Sequence, residues 1–318
     1  MPGDMQKFEL TLQSGRKMPP VGLGTLAPDE GEEEVIKAVR VAIKAGYRHI
    51  DCAAIYRNER AVGSAIKSAI IEDTVRREDL FICSKLWNTC HRPDLVRTSL
   101  RKSLEDLGVQ YLDLYLMHWP MAYKEGGEFH PWDENGKIIY SDVDYVDTWK
   151  ALEDCVDEGL VRDIGMSNFN SKQLQRILDV ARIKPSNNQL EINVHLSNEK
   201  LIEFCKSVGV TVTAFAPLGN LSVKRDHTPI IEEPVVLDIA KKKNKTAAQV
   251  ALRYLIQKGV GVVPKSKTPS RIVENFQIFD FSLSDDEMKA LAQLNRNIRV
   301  YDESIALEHK YYPFNEPF

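Results

Sequence analysis

The sequence predicts an α/β fold, a single closed (β/α)8 TIM barrel, on three observations. Eight short runs rich in Val, Ile, Leu and Tyr recur along the 318 residues, each followed by a stretch with helical spacing of apolar residues. Strands that alternate with helices pair in parallel, and burial on both faces makes them read as apolar runs. No linker divides the alternation into halves, so residues 1–318 are expected to form one domain.

Each element has a local reason. Residues 8–12 and 16–18 flank Ser14-Gly15 and predict an N-terminal β-hairpin that plugs one end of the barrel. After Pro19-Pro20, residues 21–25 are the first barrel strand. Glu32-Glu33-Glu34 then opens a helix at its positive end, with Val35, Ile36, Val39 and Ile43 on one face. Residues 48–51, 80–85 and 111–117 are the next three strands, and helices 58–71 and 93–107 lie between them, the second ending at Gly108. Residues 120–143 are polar, glycine-rich and aromatic, too long for an ordinary connection, which predicts a functional loop. Helices 145–157, 171–181 and 198–208 then alternate with strands 161–166, 188–192 and 210–215. A second irregular stretch, 217–233, precedes one helical segment over 235–258, the last strand 259–263 and the helix 269–276. An extra helix is predicted over 284–294, and the tail 295–318 carries too much Tyr and Phe to be simply disordered.

The balance of 42 basic against 46 acidic residues excludes a general electrostatic attraction to nucleic acid or an anionic membrane. Cys52, Cys83, Cys90, Cys155 and Cys205 are odd in number and widely spaced, without a paired-cysteine metal motif. Reduced thiols and no metal are therefore expected. The first residues lack the apolar core of a signal peptide, and no apolar run is long enough to span a bilayer. A soluble cytoplasmic protein is the expectation, and a monomer.

In such barrels catalytic groups stand at the carboxyl ends of strands. Asp51, Lys85 and His118 end the second, third and fourth predicted strands, and Tyr56 follows Asp51 within one short loop. Neighbouring strand ends converge, which makes the four one proton-donating site facing a carbonyl substrate. Tyr56 is the expected donor. A free phenol has a pKa of about 10, and a cation about 4 Å away favours phenolate by up to roughly 4 kcal/mol near a protein surface. Lys85 would supply that charge, Asp51 would hold the ammonium, and His118 would orient the carbonyl oxygen. Taken alone, a strand-end Lys, Asp or His is more often a satisfied ion pair or a core residue. Their combination points to chemistry, and Trp87 and Trp119 beside two of them suit an apolar substrate mouth, although indoles also cap barrel cores.

Hydride transfer needs a cofactor, and the anion signal lies in Pro264-Lys265-Ser266-Lys267-Thr268-Pro269-Ser270-Arg271, after the eighth strand. Thr268 suits an N-cap and Pro269 a first helical turn, at the place where barrels bind phosphate. Three cations there imply an additional phosphate and favour NADPH over NADH. The basic run 241–245 reads instead as a solvated helix end. Two motifs are decoys. Gly22-Leu23-Gly24-Thr25-Leu26-Ala27 fits a dinucleotide fingerprint, but Pro28 and Asp29 follow and the helix starts later. Tyr254 and Lys258 have a dehydrogenase-like spacing on an amphipathic helix and read as structural.

Over nearly its whole length the chain resembles the aldo-keto reductase superfamily, in its aldose reductase-like branch. The resemblance rests on Gly22-Leu23-Gly24-Thr25, residues 46–59, Lys85-Leu86-Trp87, His118-Trp119-Pro120, Gly165-Met166-Ser167-Asn168-Phe169 and residues 264–275. It implies a catalytic set of Asp51, Tyr56, Lys85 and His118, with Tyr56, His118, Trp87 and Trp119 against the substrate. It implies that Ser167, Asn168 and Gln189 hold a nicotinamide carboxamide, and that Lys265, Ser266, Thr268, Arg271, Glu274 and Asn275 serve the adenosine and its 2′-phosphate. Gly24, Thr25, Asp51, Phe215, Pro217, Leu218 and Asn220 complete the implied NADPH cradle. Three positions depart from the pattern: Phe215 replaces a stacking tyrosine, Leu26 a pocket tryptophan and Asn220 a serine near the pyrophosphate. Leu26 should widen the mouth toward bulky, steroid-like ketones. The rival readings are a Schiff-base aldolase built on Lys85, and an NADPH-binding barrel with a sensing or structural role and little turnover.

Overall fold

The computed structural model describes residues 5–27, 30–220 and 227–316. Pro28 and Asp29, and residues 221–226 of the second irregular stretch, lie outside the described residues.

A short antiparallel hairpin, β1 (Leu10–Thr11) and β2 (Lys17–Met18), comes first. Eight barrel strands follow: β3 (Leu23–Gly24), β4 (His49–Asp51), β5 (Phe81–Leu86), β6 (Leu112–Met117), β7 (Val161–Ser167), β8 (Asn187–Glu191), β9 (Thr211–Phe215) and β10 (Gly261–Val262). Each pairs in parallel with its neighbour in chain order. The first and last also meet: the Gly22 amide donates to the Val262 carbonyl at 2.8 Å and the Val262 amide to Pro20 at 2.8 Å, so the sheet closes. Gly24 is required at that seam, because a Cβ there would stand 2.7 Å from the Val263 carbonyl oxygen.

The helices are α1 (Glu32–Ala45), α2 (Glu59–Ile71), α3 (Pro93–Leu107), α4 (Tyr145–Asp157), α5 (Ser171–Leu178), α6 (Glu199–Ser207), α7 (Pro234–Lys243), α8 (Ala247–Gln257), α9 (Pro269–Phe276) and α10 (Asp285–Ala292). Their ends follow capping chemistry. Pro93 starts α3, and Gly108 stops it with φ of 66°, a left-handed cap that no β-branched residue adopts cheaply. The Asp144 side chain accepts from the Val146 amide at the start of α4. One expectation fails here: 235–258 is two helices, not one. Asn244 turns left-handed at φ 51°, and Thr246 with Gln249 forms a reciprocal capping box that starts α8 afresh.

Leu12 and Met18 of the hairpin region pack against Phe81, Cys83, Leu114 and Leu116, which closes the end where the strands begin. At the other end, residues 120–143 form a distorted hairpin bridged at Tyr123 with Tyr140 and Trp132 with Ile138. The tail folds over it, and Trp87, Trp119, Met121, Tyr123, Ile138, Ala306 and Tyr312 make one apolar cluster above the barrel mouth. The tail is fixed from below by a buried acid at the end of β8. The Glu191 carboxylate accepts from the Val300 amide at 2.9 Å and the Tyr301 amide at 2.8 Å. All five cysteines are unpaired thiols. Among the described residues no helix is long and apolar enough to cross a membrane.

Candidate active site

Asp51 closes β4, Lys85 stands one residue before the end of β5 and His118 follows β6. Tyr56 comes from the one-turn helix Ala54–Tyr56, which the small residues after β4 allow to fold back over the mouth. Parallel register therefore brings the four predicted residues together. The Lys85 Nζ is fully buried, and it donates to Asp51 Oδ1 at 2.5 Å and to the Cys52 carbonyl at 2.9 Å. Its remaining reach is to the Tyr56 hydroxyl, a long contact at 3.5 Å. The other Asp51 oxygen accepts from Gln189 Nε2 at 2.7 Å, so the buried ion pair is satisfied on both sides. The His118 ring meets Tyr56 edge-on at 6.0 Å and Trp87 at 5.3 Å.

The electrostatics correct one expectation. Burial is the larger effect on Tyr56, and it outweighs the Lys85 charge, so the phenol is pushed up to about 12 rather than below its ordinary value. Burial opposes charge on Lys85 as well, but Asp51, followed by Tyr56, more than offsets it and raises the ammonium above the usual lysine range. Burial and then the Lys85 charge hold His118 well below its ordinary value, so the imidazole is neutral at pH 7. Beside the site, Glu59 ties α2 to β5 and α3 by accepting from Ser84 at 2.6 Å and Ser103 at 2.9 Å.

A second group of predicted residues lines the same end of the barrel. Asn168 is left-handed at φ 63°, donates to the His118 carbonyl at 3.1 Å and leaves its buried Oδ1 without a partner. Ser167 donates to the Gln189 carbonyl at 2.9 Å, and Thr25 to the Asp51 carbonyl at 2.8 Å. Phe215 faces Tyr301 edge-on at 5.8 Å, and Asn220 donates to the Tyr301 hydroxyl at 3.1 Å. Pro217 is buried and Leu218 half-buried beside them.

At the phosphate-binding candidate, Lys265 and Lys267 are exposed and Arg271 lies on the first turns of α9, with Glu274 and Asn275 one turn on. Thr268 occupies the N-cap position with Pro269 next, but its side chain makes no capping bond, contrary to expectation; its amide instead donates to Ser266 Oγ at 3.2 Å. Two of the three cations are not free either. Lys265 pairs with Glu30 at 2.5 Å and Lys267 approaches the same oxygen at 3.7 Å. The decoys behave as read: Leu23–Gly24 is barrel strand far from the start of α1, and Lys258 reaches the buried Tyr254 hydroxyl at 3.5 Å while pairing with Glu199. The basic run is only partly solvated, since Lys243 pairs with Glu287 and Lys245 with Asp280.

Sequence reasoning missed Glu30, Glu191 and the polar residues of the lid. Glu191 had a usable signal, an acid ending an apolar strand. Glu30 and the lid acid Glu303 lie in irregular chain, where spacing carries no geometry.

Comparison with known proteins shows the family to which the chain belongs. The family model described as Aldo/keto reductase family matches residues 20–296. Prostaglandin F synthase 1 of Bos taurus is 46% identical over 322 aligned positions, covering 99% of this chain and 100% of the bovine one. Estradiol 17 beta-dehydrogenase 5 of Mus musculus is 45% identical, covering 98% of both chains. A solved structure, the aldose reductase of Schistosoma japonicum, superposes with a TM-score of 0.93 at 48% identity, covering 98% of this chain and 99% of that one. A match of this extent to the family model and to relatives along the whole chain means that this protein is an oxidoreductase belonging to the aldo/keto reductase family.

Proposed function

We propose that the protein reduces aldehydes and ketones to alcohols with NADPH, as a cytoplasmic monomer of one domain, with Tyr56 delivering the proton. The observation that carries this reading is the chain from buried Asp51 and Lys85 to half-buried Tyr56, beside a neutral His118 and under an aromatic lid. A phenol pushed up to about 12 keeps its proton throughout the physiological range, which is the state a donor needs. Giving it up to an alkoxide is favourable, since an alkoxide is the stronger base. The Lys85 ammonium then faces the phenolate left behind, in a site where burial strengthens the attraction. His118, neutral and fixed beside Tyr56, orients the carbonyl oxygen by a hydrogen bond, and Trp87 and Trp119 wall the substrate. The charged, Asp51-paired state of Lys85 counts against a Schiff base.

The residues present fit NADPH. The unpartnered Asn168 Oδ1, with Ser167 and Gln189, suits a carboxamide, and Phe215 offers a ring face for a nicotinamide. Gly24, Thr25, Pro217, Leu218 and Asn220, at the carboxyl ends of β3 and β9, suit the stretch of cofactor between the two. The uncapped start of α9, with Lys265, Ser266, Thr268, Arg271, Glu274 and Asn275, suits an adenosine carrying a phosphate. When bound, this cofactor supplies the hydride. Lys265 and Lys267 must exchange Glu30 for phosphate as they engage it.

Leu26 in place of a large aromatic residue supports a bulky ketone, and so do relatives named for prostaglandin F and estradiol. The test is a screen of aromatic aldehydes, sugars, quinones and ketosteroids, read as loss of NADPH absorbance. Consumption with NADPH well above NADH is expected. Tight NADPH binding without turnover of any carbonyl would leave a binding barrel instead.

A further inference from the structure

The lid is aromatic, yet it holds a carboxylate that proton delivery does not use. Glu303 precedes the turn Ser304–Ala306 of the tail, and its Oε1 accepts from the Tyr123 hydroxyl at 2.8 Å, with His130 Nε2 at 3.8 Å. Its side chain is 17% exposed, so it is screened from bulk water but reachable. Among the described residues nothing donates to its Oε2, and a carboxylate accepts up to about four hydrogen bonds. Tyr123 is itself buried, and burial together with the Glu303 charge keeps the phenol protonated, which commits its hydrogen to Glu303.

Trp87 connects this trio to the chemistry. The indole meets the His118 ring at 5.3 Å, and it also meets Tyr123 at 6.2 Å and His130 at 5.3 Å, edge-on each time. Its own Nε1 is used up on the Phe129 carbonyl at 2.6 Å, so it is a fixed wall rather than a polar contact. His118 and both neighbours of Glu303, Tyr123 and His130, thus stand against one indole.

We propose that Glu303, with Tyr123 and His130, forms a polar subsite that selects carbonyl compounds bearing a hydrogen-bond donor, a hydroxyl or a protonated amine, at the end remote from the carbonyl. The same carboxylate rejects substrates that carry a carboxylate there. Both effects follow from a charge in a half-screened mouth, where a charge-assisted hydrogen bond is strong and a like charge is costly. This rests on the carbonyl-reductase reading.

The experiment separates the two. NADPH-dependent kcat/KM is measured for benzaldehyde, 4-(hydroxymethyl)benzaldehyde, 4-[(dimethylamino)methyl]benzaldehyde and 4-formylbenzoate, with the native chain, Glu303→Gln and Glu303→Leu. The native chain should prefer the hydroxyl and ammonium compounds over 4-formylbenzoate by about tenfold or more, equivalent to about 1.4 kcal/mol. Glu303→Leu should abolish that ratio, and Glu303→Gln should remove the ammonium preference while keeping part of the hydroxyl preference. Benzaldehyde reduced without discrimination among the other three, or ratios unchanged in both variants, overturns the subsite and leaves the reductase reading standing. Failure of the native chain to reduce any aldehyde or ketone overturns both.

Discussion

Lys85 shows how much one buried charge has to satisfy. It sits in the core wall of the barrel with no exposed surface, and Asp51, the Cys52 carbonyl and Tyr56 share its three hydrogens. Its replacement by methionine leaves the Asp51 carboxylate buried without its counter-charge, answered by the neutral Gln189 and Cys83. Lys85→Met should therefore cost about 3–5 kcal/mol in urea unfolding and also depress carbonyl reduction, because the phenolate loses its counter-charge. A neutral effect on stability would contradict this reading of the pair. At this scale the sequence was informative where a polar side chain interrupts an apolar strand, as Asp51 and Lys85 do; Glu191 carries the same signal and was missed. The acidity of Tyr56 was not legible, since it depends on desolvation, which no spacing reports.

Among the elements, the tail depends most on a single residue. Two amides of residues 300 and 301 converge on the Glu191 carboxylate, and they hold Tyr301 where its ring meets Phe215 edge-on. Glu191→Leu should release this stretch. The amides of Val300 and Tyr301 should lose most of their hydrogen-exchange protection, and KM for a bulky ketone should rise about tenfold while NADPH affinity stays within about threefold. Unchanged exchange would show the tail to be held by its aromatic contacts alone. The barrel elements were legible because pattern, cap and period agree in them, down to Pro93 and Gly108 at the ends of α3. The break between α7 and α8 was missed because apolar spacing runs through it; the Asn244 to Gln249 capping signal was the clue. The uncapped Thr268 is the converse, a capping residue whose oxygen is not used.

For the whole molecule, the parallel order of eight strands was readable from alternation, and the closure of β3 on β10 follows from short first and last strands meeting at glycines. The irregular chain at the mouth was not readable, because aromatic clusters and single ion pairs have no period. The burial of neutral imidazoles has a molecule-wide consequence. Burial, then the nearby His309, lowers His91 to about 3, and burial lowers His309 to about 4. The unfolded chain binds these protons near pH 6.5 while the folded chain refuses them, so this stability is complete above 6.5 and is lost as pH falls through about 4 to 3. Tm should thus fall progressively below pH 6.5. His91→Leu should flatten the fall, by up to about 1.4 kcal/mol for each pH unit between the two values; an unchanged slope would exclude His91 as its source.

The catalytic roles of Asp51, Lys85 and His118 all depend on proton delivery by one phenol. The direct measurement is single-turnover oxidation of bound NADPH by an aromatic aldehyde in the native chain and in Tyr56→Phe, with NADPH affinity measured on both by fluorescence quenching. The account predicts equal affinity within about twofold and a rate lower by about a hundredfold to ten-thousandfold in the variant. A Tyr56→Phe rate within a few-fold of the native one, at equal affinity, would contradict it.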